Sequence, residues 1–165
     1  MIPEFDTNGN LPPGIHRAAW KEFSKMIKNE RQYLITKAQA KKFKEAIEAF
    51  DNKKPDTPPL LAKAQREALE SQLAELKWQL DEYDKLRSGK LKRLKKSSFQ
   101  DLPIELIRAR IARGLTQKDL ARKLGVKEQQ IQRYEETDYA SASLSRVNEV
   151  NKALDIEVKE EITLG

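Results

Sequence analysis

With 165 residues, 38% hydrophobic and 35% charged side chains, a net charge of +6, and only six glycines and seven prolines, the chain has the composition of exposed helices rather than of a sheet protein. It contains no cysteine, which removes disulfides, cysteine zinc sites and a thiol nucleophile. No apolar run approaches the roughly 20 residues of a membrane span, and no basic segment followed by an apolar one opens the chain. The expectation is an all-α, soluble, intracellular protein of two small units joined by a connector.

The charge is not spread evenly. Residues 1–84 hold 14 bases and 14 acids, and residues 101–156 hold 10 and 9. Residues 85–100 hold seven bases and no acid, so the excess sits in one short stretch between two nearly neutral regions.

Residues 1–25 begin with turn formers, Asn8-Gly9 and Pro12-Pro13-Gly14, among scattered Phe5, Leu11, Ile15, Trp20 and Phe23. They predict an extended arm ending in a short helix near Arg17–Met26. The phrase "LPPGIH" resembles the opening of a family of small nucleotidyltransferase-like proteins, but the likeness stops before any catalytic residue of such a fold. The texture changes at Met26, where "MIKNERQYLITKAQ" reads like a protein start of its own.

Residues 26–88 predict a helical hairpin for dimerisation or partner binding. Thr36 and Gln39 have the spacing of a capping box, and Ala40, Phe43, Ile47 and Phe50 then share a stripe. The run "DNKKPDTPP" supplies a turn. In the longer helix that follows, Leu69, Leu73, Leu76, Leu80 and Tyr83 recur at steps of four and three, the seam of a coiled coil, with Ala62 extending it backwards. Two heptads do not stand alone, so the first helix is expected to fold back on the second, leaving the leucine face for a second chain or a partner; a hairpin core without a dimer is the competing reading. Ser88-Gly89 closes the helix. Residues 89–100 form a basic linker, read either as a short strand or as irregular chain, in which Lys90, Lys92, Arg93, Lys95 and Lys96 are candidates for sequence-independent phosphate attraction. A solvated linker or a lysine-protected edge explains them equally.

Residues 101–158 carry the most specific pattern. Asp101 and Pro103 start a helix with Ile107 and Ile111 on one face, and Gly114 ends it. Thr116 and Asp119 form a second capping box, before a helix with Leu120 and Leu124 on its core stripe and the small Ala121 beside them. Gly125 provides a left-handed turn, Val126 plugs the core, and a third helix from about Lys127 to Thr137 turns Ile131 and Tyr134 inward. Ser143 caps a fourth helix whose Leu144, Val147 and Leu154 close the bundle, with Ile156 added. The third helix then shows Glu128, Gln129, Gln132 and Arg133 outward, which are base-edge chemistries: Gln for adenine, Arg for guanine, Glu for cytosine.

The segments "LTQKDLARKLGVKEQQIQRYE" and "ASLSRVNEVNKALDIEV" resemble the Cro/repressor-like (XRE) helix-turn-helix family, over about the last third of the chain. "NERQYLITKAQAKKF" and "LLAKAQREALESQLAELKWQLDEYDKLRSGK" resemble the leader of a subgroup that acts as antitoxins in bacterial toxin-antitoxin pairs. The resemblance implies a lambda-repressor-like bundle that binds a double-stranded DNA operator as a homodimer, represses its own operon and neutralises a toxin protein, in the bacterial cytoplasm and on the nucleoid when bound. It places base contacts at Glu128, Gln129 and Arg133 and a phosphate contact at Gln117, beside which Lys127 is a further phosphate candidate. Lys127 stands where the family usually has a Ser or Thr cap, so the cap of that helix is weak and Glu128 compensates at the positive end of the helix dipole.

Each assignment has a plainer rival. Gln129 and Gln132 could be solvated helix residues, Arg133 could pair with Glu135 or Glu136, and Gln117 could simply fill a helix start. His16, the single histidine, has no partner set in the sequence. A protein-interaction module or a transcriptional bridging factor with little sequence-specific DNA binding is the alternative function. No phosphate loop, metalloprotease or nucleophile-elbow motif is present, so neither an enzyme nor a cofactor is expected.

Overall fold

The computed structural model describes residues 26–52, 57–90 and 101–158, and the regular elements among them are six α-helices. The expected arm helix, the linker strand and the tail after 158 lie outside the described residues. The chain divides into two compact units, residues 1–83 and 84–165.

In the first unit lie α1, Glu30–Asn52, and all but the last four residues of α2, Pro59–Arg87. The start of α1 corrects the expected cap at Thr36. Asn29 Oδ1 accepts from the Gln32 backbone N–H at 2.9 Å, while Gln32 Oε1 accepts from the Lys28 N–H at 2.7 Å. The capping spacing is thus used one repeat earlier, and Thr36 becomes a buried residue on the helix's inner face. Proline occupies the first position of α2, where it has no helical N–H to lose.

Two contacts fix the pairing of these helices. Arg66 grips Asp51 with both arms of its guanidinium, Nε to Oδ1 at 2.8 Å and Nη2 to Oδ2 at 3.2 Å. The rings of Tyr33 and Tyr83 lie 5.2 Å apart. Both obey one antiparallel register, with 51 facing 66 and 33 facing 83. Continued along the helices, it sets Ile47, Phe43, Ala40 and Thr36 against Leu69, Leu73, Leu76 and Leu80. Leu73 and Tyr83 are buried and Leu69, Leu76 and Leu80 half-buried, so the leucine seam is taken up largely by the hairpin itself.

In the second unit, α3 (Leu102–Ala112), α4 (Gln117–Leu124), α5 (Glu128–Glu136) and α6 (Leu144–Ala153) form a bundle in which α4 packs on both α5 and α6. Leu106, Ile107, Ile111, Leu120, Ile131, Val150 and Leu154 are almost wholly removed from water and make its core. The capping box of α4 is present in both directions, Thr116 accepting from the Asp119 N–H and Asp119 from the Thr116 N–H. Gly125 ends α4 at φ +66°, a left-handed conformation that disfavours a side chain, and so turns the chain sharply into α5.

Four expected core positions are corrected, the first being Leu124, which is half-buried where Leu120 is fully buried. Leu144 is 68% exposed: as the first residue of α6 it lies at the helix end rather than along the packed stripe of Val147, Val150 and Leu154. Val126 is half-buried rather than a plug. Tyr134 is also half-buried, and the loop residue Tyr139, 3% exposed, fills the core beside it, its ring stacked on that of Tyr134 at 6.1 Å.

Candidate nucleic-acid interface

The outer surface of α5 is defined by what holds its inner surface. Ile131 and Glu135, one turn apart, are both fully buried. Glu135 does not sit there alone. Arg110 of α3 donates to it twice, Nε to Oε1 at 2.6 Å and Nη2 to Oε2 at 2.7 Å, and Gln117 at the start of α4 donates its Nε2 to Oε2 at 2.9 Å. The remaining arm of Arg110 reaches the Leu115 carbonyl at 2.7 Å, in the turn between α3 and α4. A doubly bonded guanidinium–carboxylate pair fixes direction as well as distance, and it ties three consecutive helices at one point.

Sequence reasoning missed Arg110 and Glu135. The signal was there: Arg110 falls in the apolar row with Leu106, Ile107 and Ile111, and Glu135 falls four residues after Ile131. Opposite charges on two core stripes of one bundle have only each other as a low-cost buried partner.

Gln117 is found facing this network, 8% exposed, so its side-chain amide is already engaged by Glu135. Its backbone N–H, at the first position of α4, is the group that remains directed out of the helix start.

The outward residues of α5 fall into two kinds. Gln132 Nε2 donates to Glu128 Oε1 at 3.1 Å, and Gln130 Nε2 donates to the Tyr134 hydroxyl at 2.8 Å. These pairs orient amides along the helix. Gln129 and Arg133 are exposed, and among the described residues no hydrogen bond or ion pair engages the Arg133 guanidinium or the Gln129 amide. Glu128 is half-buried, and Lys127, the N-cap of α5, is exposed and makes no side-chain cap. The expected weakness of that cap is therefore present.

Lys90 is exposed. Lys92, Arg93, Lys95 and Lys96 lie outside the described residues. Between Lys127 and Ser145 the bases are Lys127 and Arg133, against Glu128, Glu135, Glu136 and Asp138. Even with Glu135 neutralised by Arg110, this stretch carries no positive excess.

The loop after α5 is strained. Asp138 and Tyr139 have φ of +47° and +58°, a region that side-chain-bearing residues rarely visit in succession. Burial pushes the Tyr139 phenol well above its usual range; the Glu135 charge adds to this and Arg110 opposes it. Glu105 on α3 is also raised by burial, with Arg108 at 3.2 Å pulling the other way.

A short helix, a left-handed glycine turn and a second helix whose one face is anchored and whose other face is polar and open decide the comparison. Residues 106–160 match the helix-turn-helix family model. The matched segment takes in most of α3 and all of α4, α5 and α6, and it supports a DNA-binding transcription regulator of the Cro/repressor-like kind. No curated protein matches the chain, and no solved structure does. Within the helix-turn-helix domain α5 takes the place of the reading helix, and α4 that of the helix before it. Among the described residues no helix is long and apolar enough to cross a membrane.

Proposed function

We propose that the protein is a sequence-specific DNA-binding repressor that reads an operator with α5 and acts as a homodimer in the bacterial cytoplasm, on the nucleoid when bound. The observation that carries this reading is the two-sidedness of α5. Its inner face is locked by Ile131 and the Arg110–Glu135 pair, while Gln129 and Arg133 stand in water with no protein partner among the described residues. Gln129 and Arg133 carry the donor and acceptor chemistry that suits adenine and guanine edges, and Gln132 and Glu128, bonded to each other in the free protein, would exchange that bond for adenine and cytosine edges. Glu128, already accepting from Gln132, sets the rotamer of its neighbour as well.

Phosphate attraction falls elsewhere. Lys127 and the connector bases Lys90, Lys92, Arg93, Lys95 and Lys96 supply it, and Gln117 contributes its backbone N–H at the start of α4. Two copies would place their reading helices about 34 Å apart, in successive major grooves of a near-palindromic site.

The amino-terminal region gives a second role. We infer that the chain is an antitoxin, neutralising a toxin protein through residues before the linker and repressing the operon that encodes both. The hairpin supports this by presenting exposed Leu34 and Ile35 on α1, which its own packing leaves uncovered. The test for DNA reading is selection of duplexes from a random-sequence pool by the full chain. Enrichment of a two-fold-symmetric site supports a repressor. An unenriched pool with retained protein partners would favour the alternative, an interaction module or bridging factor.

A further inference from the structure

The first helix has a second apolar face that the hairpin does not use. Leu34 and Ile35 are 57% and 49% exposed, and Ala38, one turn further on, is exposed too. Ala38 stands two residues from each of the buried Thr36 and Ala40, and at 100° per residue this sets it ~160° from both. The strip therefore points away from α2. Exposed aliphatic side chains are ordinary when scattered, but Leu34, Ile35 and Ala38 are adjacent on the helix surface and make one strip.

The charge around that strip is mostly positive, with Glu30 one turn before Leu34 and Lys41 reaching Glu45 at 3.7 Å. Residues 28–44 hold six bases and one acid, Glu30. Arg31 lies one turn before the strip and Lys41 and Lys42 one turn after it, while the acids of α1 that balance them begin only at Glu45. DNA would use the cations and leave two large aliphatic side chains in water. An apolar groove rimmed by carboxylates uses both.

Resting on the reading of the amino-terminal region as a partner-neutralising element, we propose that this face of α1, rather than the leucine seam of α2, docks on the partner protein. The partner then presents an apolar groove with an acidic rim. Leu34 and Ile35 are the anchors, in the manner of a helix laid in a groove, and Arg31, Lys41 and Lys42 steer the encounter and fix its direction.

The experiment titrates the full chain against the purified product of the adjacent gene. The double variant Leu34→Ser/Ile35→Ser should bind at least about 30-fold more weakly, as expected for paired anchors. Lys41→Glu/Lys42→Glu should bind about 10-fold more weakly, mostly through slower association at low salt. Leu60→Ser, at a position 81% exposed on the other helix, serves as the control and should bind as the wild type does. Helix content and melting temperature check that each variant keeps its hairpin. If both double variants bind like the wild type, the face is wrong although the partner reading stands; if the wild-type chain does not bind at all, both fall. Loss of operator affinity with partner binding intact would assign the face to DNA and overturn the proposal.

Discussion

Removing the Glu135 carboxylate should destabilise the helix-turn-helix domain more than removing any outward side chain of α5, because Arg110 would be left charged and 2% exposed. Glu135→Ala is expected to cost about 3–5 kcal/mol in chemical denaturation, and Arg110→Met combined with Glu135→Leu to recover most of it. Equal losses in the single and double variants would show that the pair matters for shape rather than charge. Glu105 behaves differently. Burial raises its folded pKa above the unfolded value, so its contribution is favourable below the unfolded pKa and is lost as pH rises through the folded one. Glu105→Gln should therefore raise the melting temperature at pH 7, with the advantage shrinking toward pH 4. These two carboxylates mark a limit of sequence reading. The Thr116–Asp119 box, Gly125 and Ile131 were legible because local rules mark them: a capping partner three residues on, a left-handed turn residue, and an apolar place in a helical repeat. Arg110 and Glu135 are 25 residues apart, and only their places on two core stripes hinted at the pair.

At the scale of elements, helix existence was legible and helix use was not. Periodicity located α2 and its seam, but it did not say what covers a seam; the Tyr33–Tyr83 and Asp51–Arg66 contacts show that α1 does so for much of its length. The capping pattern occurs twice near the start of α1, and Asn29–Gln32 prevails because Tyr33 and Thr36 must already be helical to face α2. After α5, two left-handed residues of nearly equal φ have different roles. Asp138 is exposed, so Asp138→Gly gives up no packed side chain while relieving backbone strain, and should change stability by less than about 1 kcal/mol. Tyr139 is buried against Tyr134, and Tyr139→Gly should cost about 3–5 kcal/mol in spite of the same relief. Thermal denaturation of the two variants side by side checks the size of each.

For the whole molecule, the proposed division is that the charge distribution separates attraction from reading. The helix-turn-helix domain is nearly neutral, and the bases that could draw it to any DNA sit in the connector. Replacing Lys90, Lys92, Arg93, Lys95 and Lys96 together by Gln should lower the slope of log affinity against log salt by up to about 4.5, at roughly 0.9 per phosphate contact, and leave the order of preferred sequences unchanged. An unchanged slope would return these lysines to the role of a solvated linker. The central claim is that the free face of α5 reads bases, and Arg133 tests it most directly. Affinities of the wild type and of Arg133→Ala should be measured for every single-base variant of the selected site. The account predicts that the variant loses about 1–3 kcal/mol and its preference at one position per half-site, all others keeping their rank. A uniform loss across all variants, or an unchanged profile, would contradict it.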